Sequence, residues 1–248
     1  MHIAAAQSAS VPGDIAANVQ THLRFIAAAR AAQVDLLVFP ELSLCGYELA
    51  LLRDCSLLPH DPRLAPLREQ AQAADMTVVV GAGFAGPQGG IHIAAFTLSA
   101  DGSTSVYCKQ HLHAGEERYC IPGSSASPPA ACRGVPYALA ICADIAQPQH
   151  AQTAATEGAN LYVAGVLVSE AGYATDAGYM QSYAAGLNLG VLMANHAGPT
   201  GGYVSAGRSA FWEAGGRQVI AAPGSGSYLV IASRQSGTWS GECLADPL

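Results

Sequence analysis

Residues 36–39 of this chain read Leu-Leu-Val-Phe, with a proline and a glutamate immediately behind them, and no polar side chain interrupts the run. A strand with one wet face alternates polar and apolar residues. One that does not alternate must be covered on both faces, so the run calls for a buried sheet with layers on either side. Pro40 has no backbone N–H to give to a ladder and halts the strand. The chain therefore belongs to the layered α/β class.

The rest of the chain keeps to that frame. A short apolar run at 2–6 is followed by a helical pattern in which Ile15, Val19, Leu23 and Ile26 share one face, with Asp14 placed to cap it. A second helix is expected around 62–74, then a strand in "MTVVVGAGF". A hairpin follows, built from "IHIAAFTLS", the turn "ADGS" and "TSVYCKQ". Strands at 135–142, 160–166 and 190–195 alternate with helices near 147–157 and 172–187, and later strands fall around 207–212, 217–221 and 227–232. With no proline-rich linker, charge run or internal repeat, a single domain over 1–248 is the simplest organisation.

Composition removes several classes of function. Half the residues are hydrophobic and 12% are charged, which suits a packed core. The formal charge of −7 comes without a basic cluster, so a phosphate backbone finds no partner and no nucleic acid is expected. No apolar stretch reaches the roughly 18 residues of a membrane span, and the N-terminus lacks a signal-like charged region, so a cytoplasmic chain with no membrane partner is expected. The seven cysteines are scattered without a CxxC pair and read as reduced thiols. Cys108, His111, His113 and Cys120 have a zinc-like makeup, but their spacing is irregular and Lys109, Glu116 and Glu117 are interleaved, so no metal is expected.

Three reactive side chains fall at strand ends: Glu41 after 36–39, Lys109 at the end of the hairpin, and Cys142 at the end of 135–141. Strand ends in α/β folds are where sites are assembled, because the sheet fixes the residue and the loop leaves it open. Each alone has an ordinary explanation as a loop cap, a solvated charge or a core thiol. Together their chemistry is coherent. A thiol is a weak nucleophile until it loses its proton, a carboxylate can take that proton, and an ammonium can support the negative oxygen of a tetrahedral intermediate. No histidine is singled out by a motif as an alternative base.

At these residues the chain resembles the nitrilase superfamily of carbon–nitrogen hydrolases. "LLVFPELSLCGY", "VYCKQHLHAGEERYCIPG" and "YALAICADI" are similar to the family's three motif segments, in order, and "VLMANHAG" and "GRSAFWEAGGR" add similarity downstream. The resemblance implies a four-layer α-β-β-α sandwich of two mixed sheets, which the strand pattern by itself does not separate from one doubly wound sheet. It also implies Glu41 as general base, Lys109 as oxyanion support and Cys142 as nucleophile. A second active-site glutamate falls at Glu116, with adjacent Glu117 as the alternative, and the backbone N–H of Ala143 is implied as an oxyanion donor. Family analogy adds a homodimer and no cofactor.

The implied reaction is hydrolysis of a small amide, ω-amide or carbamoyl compound through a thioester, and Glu116 weights the reading toward amides. Nitrile hydrolysis at the same site, or a non-catalytic relative that binds a ligand or partner, are the alternatives. The sequence departs from the family beside the nucleophile, where "CADIAQPQH" has Ala143 and Ala146 in place of bulky residues and Gln149 in place of an acid. A roomier or differently lined pocket beside the nucleophile is expected. Tyr47, His113, Asn195 and the segment 167–180 are the candidate substrate-shaping elements, with ordinary packing as the competing explanation for each. Cys45, in "ELSLCGY", is expected to be a packing thiol.

Overall fold

The computed structural model describes residues 1–87, 89–124 and 128–247. In chain order its elements are β1 (His2–Gln7), α1 (Ile15–Ala31), β2 (Leu36–Val38), α2 (Ala65–Ala73), β3 (Thr77–Ala85), β4 (Ile91–Leu98), β5 (Thr104–Cys108), β6 (Ala130–Cys132) and β7 (Val135–Ile141). They continue with α3 (Pro148–Thr156), β8 (Leu161–Val166), α4 (Tyr173–Gly186), β9 (Gly190–Asn195), β10 (Ala210–Trp212), β11 (Gln218–Ala221), β12 (Tyr228–Gln235) and β13 (Thr238–Ala245). The strands form two sheets, ordered β13-β12-β1-β2-β3-β4-β5 and β11-β10-β9-β8-β7-β6. Both are mixed. β1, β2 and β3 run parallel, as do β7, β8 and β9, and the outer pairs are antiparallel. This is the four-layer sandwich that the resemblance implies.

Side-chain alternation shows how the layers are glued. Leu161 and Val163 of β8, with Leu192 and Ala194 of β9, join the core between the sheets. Their neighbours Tyr162, Ala164, Val191 and Met193 turn the other way and pack against Ala151 and Ala154 of α3 and Met180, Tyr183 and Ala184 of α4. On the far side, α1 buries Ile15, Val19, Phe25 and Ile26 against the first sheet, and the Asp14 carboxylate caps it by accepting from Ala17 N at 2.9 Å. Leu23 is only half-buried, and His22 takes the place expected for it on the covered face. Fully burying one such aliphatic or aromatic side chain stabilises the fold by roughly 1.5–3 kcal/mol, so this one stripe largely determines where α1 docks.

Two strands extend the pattern expected from the sequence. β6 is three residues long, and β13 lies at a sheet edge with most of its side chains exposed, so neither carries a burial signal. The strand expected from 207 begins only at Ala210, because Gly207 and Arg208 have φ of 63° and 51° and cannot continue an extended ladder. Among the described residues no helix is long and apolar enough to cross a membrane.

Candidate active site

The segment that carries Glu41 is clamped between the sheets. A Cβ on Gly165 of β8 would come within 2.7 Å of the Phe39 carbonyl oxygen, and one on Gly81 of β3 would collide with the Pro40 carbonyl and the Leu42 amide. Only glycine permits that approach from both sides. Leu42 turns the chain away with φ 51°, and the His196 ring nitrogen Nε2 lies 2.7 Å from the Glu41 carbonyl oxygen. Burial lowers the His196 pKa to about 4, so the ring is neutral and Nε2–H donates. Glu41 itself is 2% exposed.

Lys109, one residue past β5, is fully buried. Its Nζ donates to Glu41 Oε1 and to Glu116 Oε1, each at 2.7 Å. Glu116 is held from two further sides: the Tyr47 hydroxyl donates to Oε1 at 2.5 Å, and the His113 amide donates to Oε2 at 2.7 Å. Burial alone would lower the Lys109 pKa, but Glu41, Cys142 and Glu116 outweigh it and raise it, so the ammonium is permanent. Burial raises the Glu41 carboxyl to about 7; Lys109 opposes the rise and the Glu116 charge adds to it. Among the described residues, Glu41 Oε2 is buried without a hydrogen-bond partner, on a carboxylate that lines the same cavity as Cys142.

Cys142 opens a 3-10 turn, Cys142–Ala146, directly after β7, and has φ 41°, a left-handed conformation rarely adopted by a side chain with a Cβ. Its Sγ lies 3.6 Å from the Leu167 carbonyl oxygen. Burial, followed by the Glu41 charge, holds the thiol well above its ordinary pKa, with Lys109 opposing. The proton therefore rests on sulfur until something takes it. Ala143 is the second residue of the turn, so its N–H has no acceptor within the turn, and the residue lines the same cavity.

What fixes this turn is a residue that the sequence reading passed over. Asp144 is fully buried and accepts five hydrogen bonds. Oδ1 takes the Gln110 amide (3.1 Å), the His111 amide (2.8 Å) and His111 Nδ1 (3.0 Å). Oδ2 takes the Tyr107 hydroxyl (2.7 Å) and the Ile141 amide (3.0 Å). One carboxylate thus ties the Cys142 turn to the segment that carries Lys109. His150 continues the network, with Nε2 2.8 Å from Tyr107 Oη and Nδ1 2.8 Å from Tyr162 Oη. The signal for Asp144 was present in the sequence: a carboxylate beside an apolar strand must be paired if it is buried.

A cavity of about 250 Å³ lies over the cluster, lined by Glu41, Tyr47, His113, Cys142, Ala143 and Leu167, and also by Ser169, Asp176 and Tyr203. Most of the residues expected at the site meet here. Two do not. Asn195 is fully buried, and its amide is spent on the Val168 amide and carbonyl, the His196 amide and the Gly207 carbonyl, so it braces loops and does not line the cavity. Glu117 is exposed and accepts from the Gly115 amide at 2.7 Å, outside the cavity. Segment 167–180 contributes to the wall partly as loop and partly as the first turns of α4. Among the described residues no group of three or more His, Cys, Asp or Glu is arranged to hold a metal: His111 is bonded to Asp144, and the Cys120 thiol donates to the Glu116 carbonyl at 3.3 Å. Cys45 is buried and donates to the Gly46 carbonyl at 3.2 Å.

Known proteins share this fold. The amidase from Nesterenkonia sp. AN1 superposes with a TM-score of 0.85 at 25% identity, covering 95% of this chain and 93% of that one. A variant of that amidase bears the acetamide moiety of fluoroacetamide on its active-site cysteine; it superposes with a TM-score of 0.82 at 26% identity, covering 93% of this chain and 89% of that one. Saccharomyces cerevisiae Nit3, a member of branch 10 of the nitrilase superfamily, shares the fold, with a TM-score of 0.86 at 23% identity over 94% of this chain and 89% of that one. In sequence, an (R)-stereoselective amidase of a Pseudomonas species is 33% identical over 165 residues, which span 66% of this chain and 59% of that protein's length. A model of the carbon-nitrogen hydrolase family matches residues 2–241, and the chain belongs to that family, within the nitrilase superfamily.

Proposed function

We propose that the protein hydrolyses the C–N bond of small amides through a thioester on Cys142. The observation that carries the reading is Lys109, buried and bonded to two carboxylates, one of which, Glu41, lines a cavity together with a cysteine on a strained turn. A buried ion pair is costly as a fold element, and its best use is to hold charge where a reaction develops it.

In the first step Glu41 Oε2 accepts the Cys142 thiol proton while sulfur attacks the amide carbonyl carbon. A C–S bond forms as the carbonyl π pair moves onto oxygen. Lys109 Nζ–H and the Ala143 N–H stabilise that oxyanion. Collapse breaks the C–N bond, and Glu41 returns the proton to the departing nitrogen. In the second step Glu41 deprotonates water, which attacks the thioester; the C–S bond breaks to release the acid, and Glu41 returns the proton to the Cys142 sulfur. Glu116, held by Tyr47 and the His113 amide, touches no reacting atom in this scheme and positions Lys109.

The cavity, about 250 Å³ and open on one side, has room for a small amide beside Cys142. The capture of butyramide by a cysteine variant of the Nesterenkonia amidase is consistent with that scale. Intact-mass spectrometry with a panel of small amides tests the scheme. An acyl adduct or an acid product that vanishes in Cys142→Ala is expected, and product formation undiminished in Cys142→Ala would sink it.

A further inference from the structure

Asp176 is the one acid on the cavity wall that the scheme above leaves unused. It sits in the first turn of α4 and shares the cavity with Cys142, Ser169 and His113. Its neighbours along the segment and the rim are satisfied: Glu170 pairs with Arg208 at 2.8 Å, and Glu117 takes the Gly115 amide. Among the described residues, no hydrogen bond or salt bridge reaches the Asp176 carboxylate, although the residue is half-buried. Among the residues that line the cavity, His113 is the one basic side chain; burial raises the Asp176 carboxyl above its ordinary pKa, and His113 only partly opposes the rise. A carboxylate near a helix N-terminus gains a few tenths of a kcal/mol from the dipole, which explains an acid in this turn but not one facing a reaction cavity without a partner.

The position within the cavity decides which part of a substrate would meet it. Glu41, which must hand a proton to the leaving nitrogen, lies at the closed floor with Lys109 and Glu116, each no more than 2% exposed. A leaving group there stands among buried side chains, away from solvent. The acyl substituent then extends toward the open side, where Asp176, His113 and exposed Tyr203 stand.

We propose that Asp176 anchors a positively charged amino group on the acyl part of the substrate, so that the preferred substrates are small primary amides bearing an ammonium a short spacer away from the carbonyl. The inference rests on the amide-hydrolase reading above and narrows it. Among the substrate classes left open by the sequence, amides carrying a carboxylate are disfavoured by the same charge.

The test compares kcat/KM for three amides of matched length: 4-aminobutanamide (cationic), butyramide (neutral) and succinamate (anionic). The native enzyme is expected to favour the cationic amide over butyramide at least about tenfold, the equivalent of one modest ion pair, with succinamate the poorest. The cationic-to-neutral ratio is expected to fall about tenfold in Asp176→Asn and to recover in part in Asp176→Glu. It should also shrink as salt is raised, a readout that needs no variant. Equal use of 4-aminobutanamide and butyramide by the native enzyme, or a ratio unmoved by Asp176→Asn, overturns the proposal. Turnover of butyramide in that case leaves the hydrolase reading standing. Absence of any Cys142-dependent product from all three amides, by contrast, overturns the hydrolase reading itself.

Discussion

Two buried carboxylates, Glu41 and Asp144, lie on either side of the candidate nucleophile and have opposite environments. Asp144 accepts five hydrogen bonds, divided between both oxygens. Glu41 has one oxygen on Lys109, and its other oxygen has no partner among the described residues. A carboxylate with every lone pair committed is a strut: it holds two loops together and has nothing to offer a proton. One with a bare, desolvated oxygen and a pKa raised to about 7 is poised to exchange a proton near neutrality. Both are buried, and the hydrogen-bond count separates scaffold from chemistry.

The contrast is broken most severely at Glu41. Glu41→Gln keeps the acceptor for Lys109 but cannot take a proton, so kcat should fall by about 10³ while Tm stays close to that of the native protein; steady-state kinetics beside a thermal melt checks both halves. A subtler displacement comes from Gly165→Ala. Its Cβ would press on the Phe39 carbonyl and shift the Glu41 backbone, and misplacement by about 1 Å is expected to cost about 10² in kcat/KM.

Asp144→Asn should do the reverse. Its amide NH₂ would face the donors of Tyr107 and Ile141, or those of Gln110 and His111, and leaving buried donors unpaired costs about 3 kcal/mol in denaturant titrations. The activity that remains should keep its pH profile. In the native protein kcat/KM should rise with pH through about 7, because Glu41 must be ionised to accept the thiol proton and is protonated below that value. The smallest effect sharpens this point. Glu116→Gln removes a like charge that raises Glu41 and leaves Lys109 with one carboxylate, so both changes lower the Glu41 pKa, and the rising limb should move down by about one pH unit.

Much of this was readable before any coordinates, and what was not has physical reasons. The α1 helix, the 91–108 hairpin and the three strand ends at Glu41, Lys109 and Cys142 are local patterns, and each appears where expected, with His22 in place of Leu23 on the covered face of α1. Whether buried strands belong to one sheet or two is not local, since Leu36 and Leu161 are equally apolar and only pairing assigns them to different layers. Asn195 looked like a site residue because it ends a strand beside similar motifs. Its four bonds, to residues 168, 196 and 207, join segments far apart in the chain. Asp144 escaped for the same reason, since the donors that define it come from residues 107, 110, 111 and 141.

The central claim is that the free oxygen of Glu41 activates the Cys142 thiol. The rate of Cys142 acylation by a small amide, followed by intact mass from about pH 5 to about pH 9 in the native protein and in Glu41→Gln, addresses it directly. The account predicts a native rate that climbs through pH about 7 and a variant that acylates at least about 10³ more slowly at every pH. Equal acylation of the two proteins, or a native rate flat across that range, would contradict it.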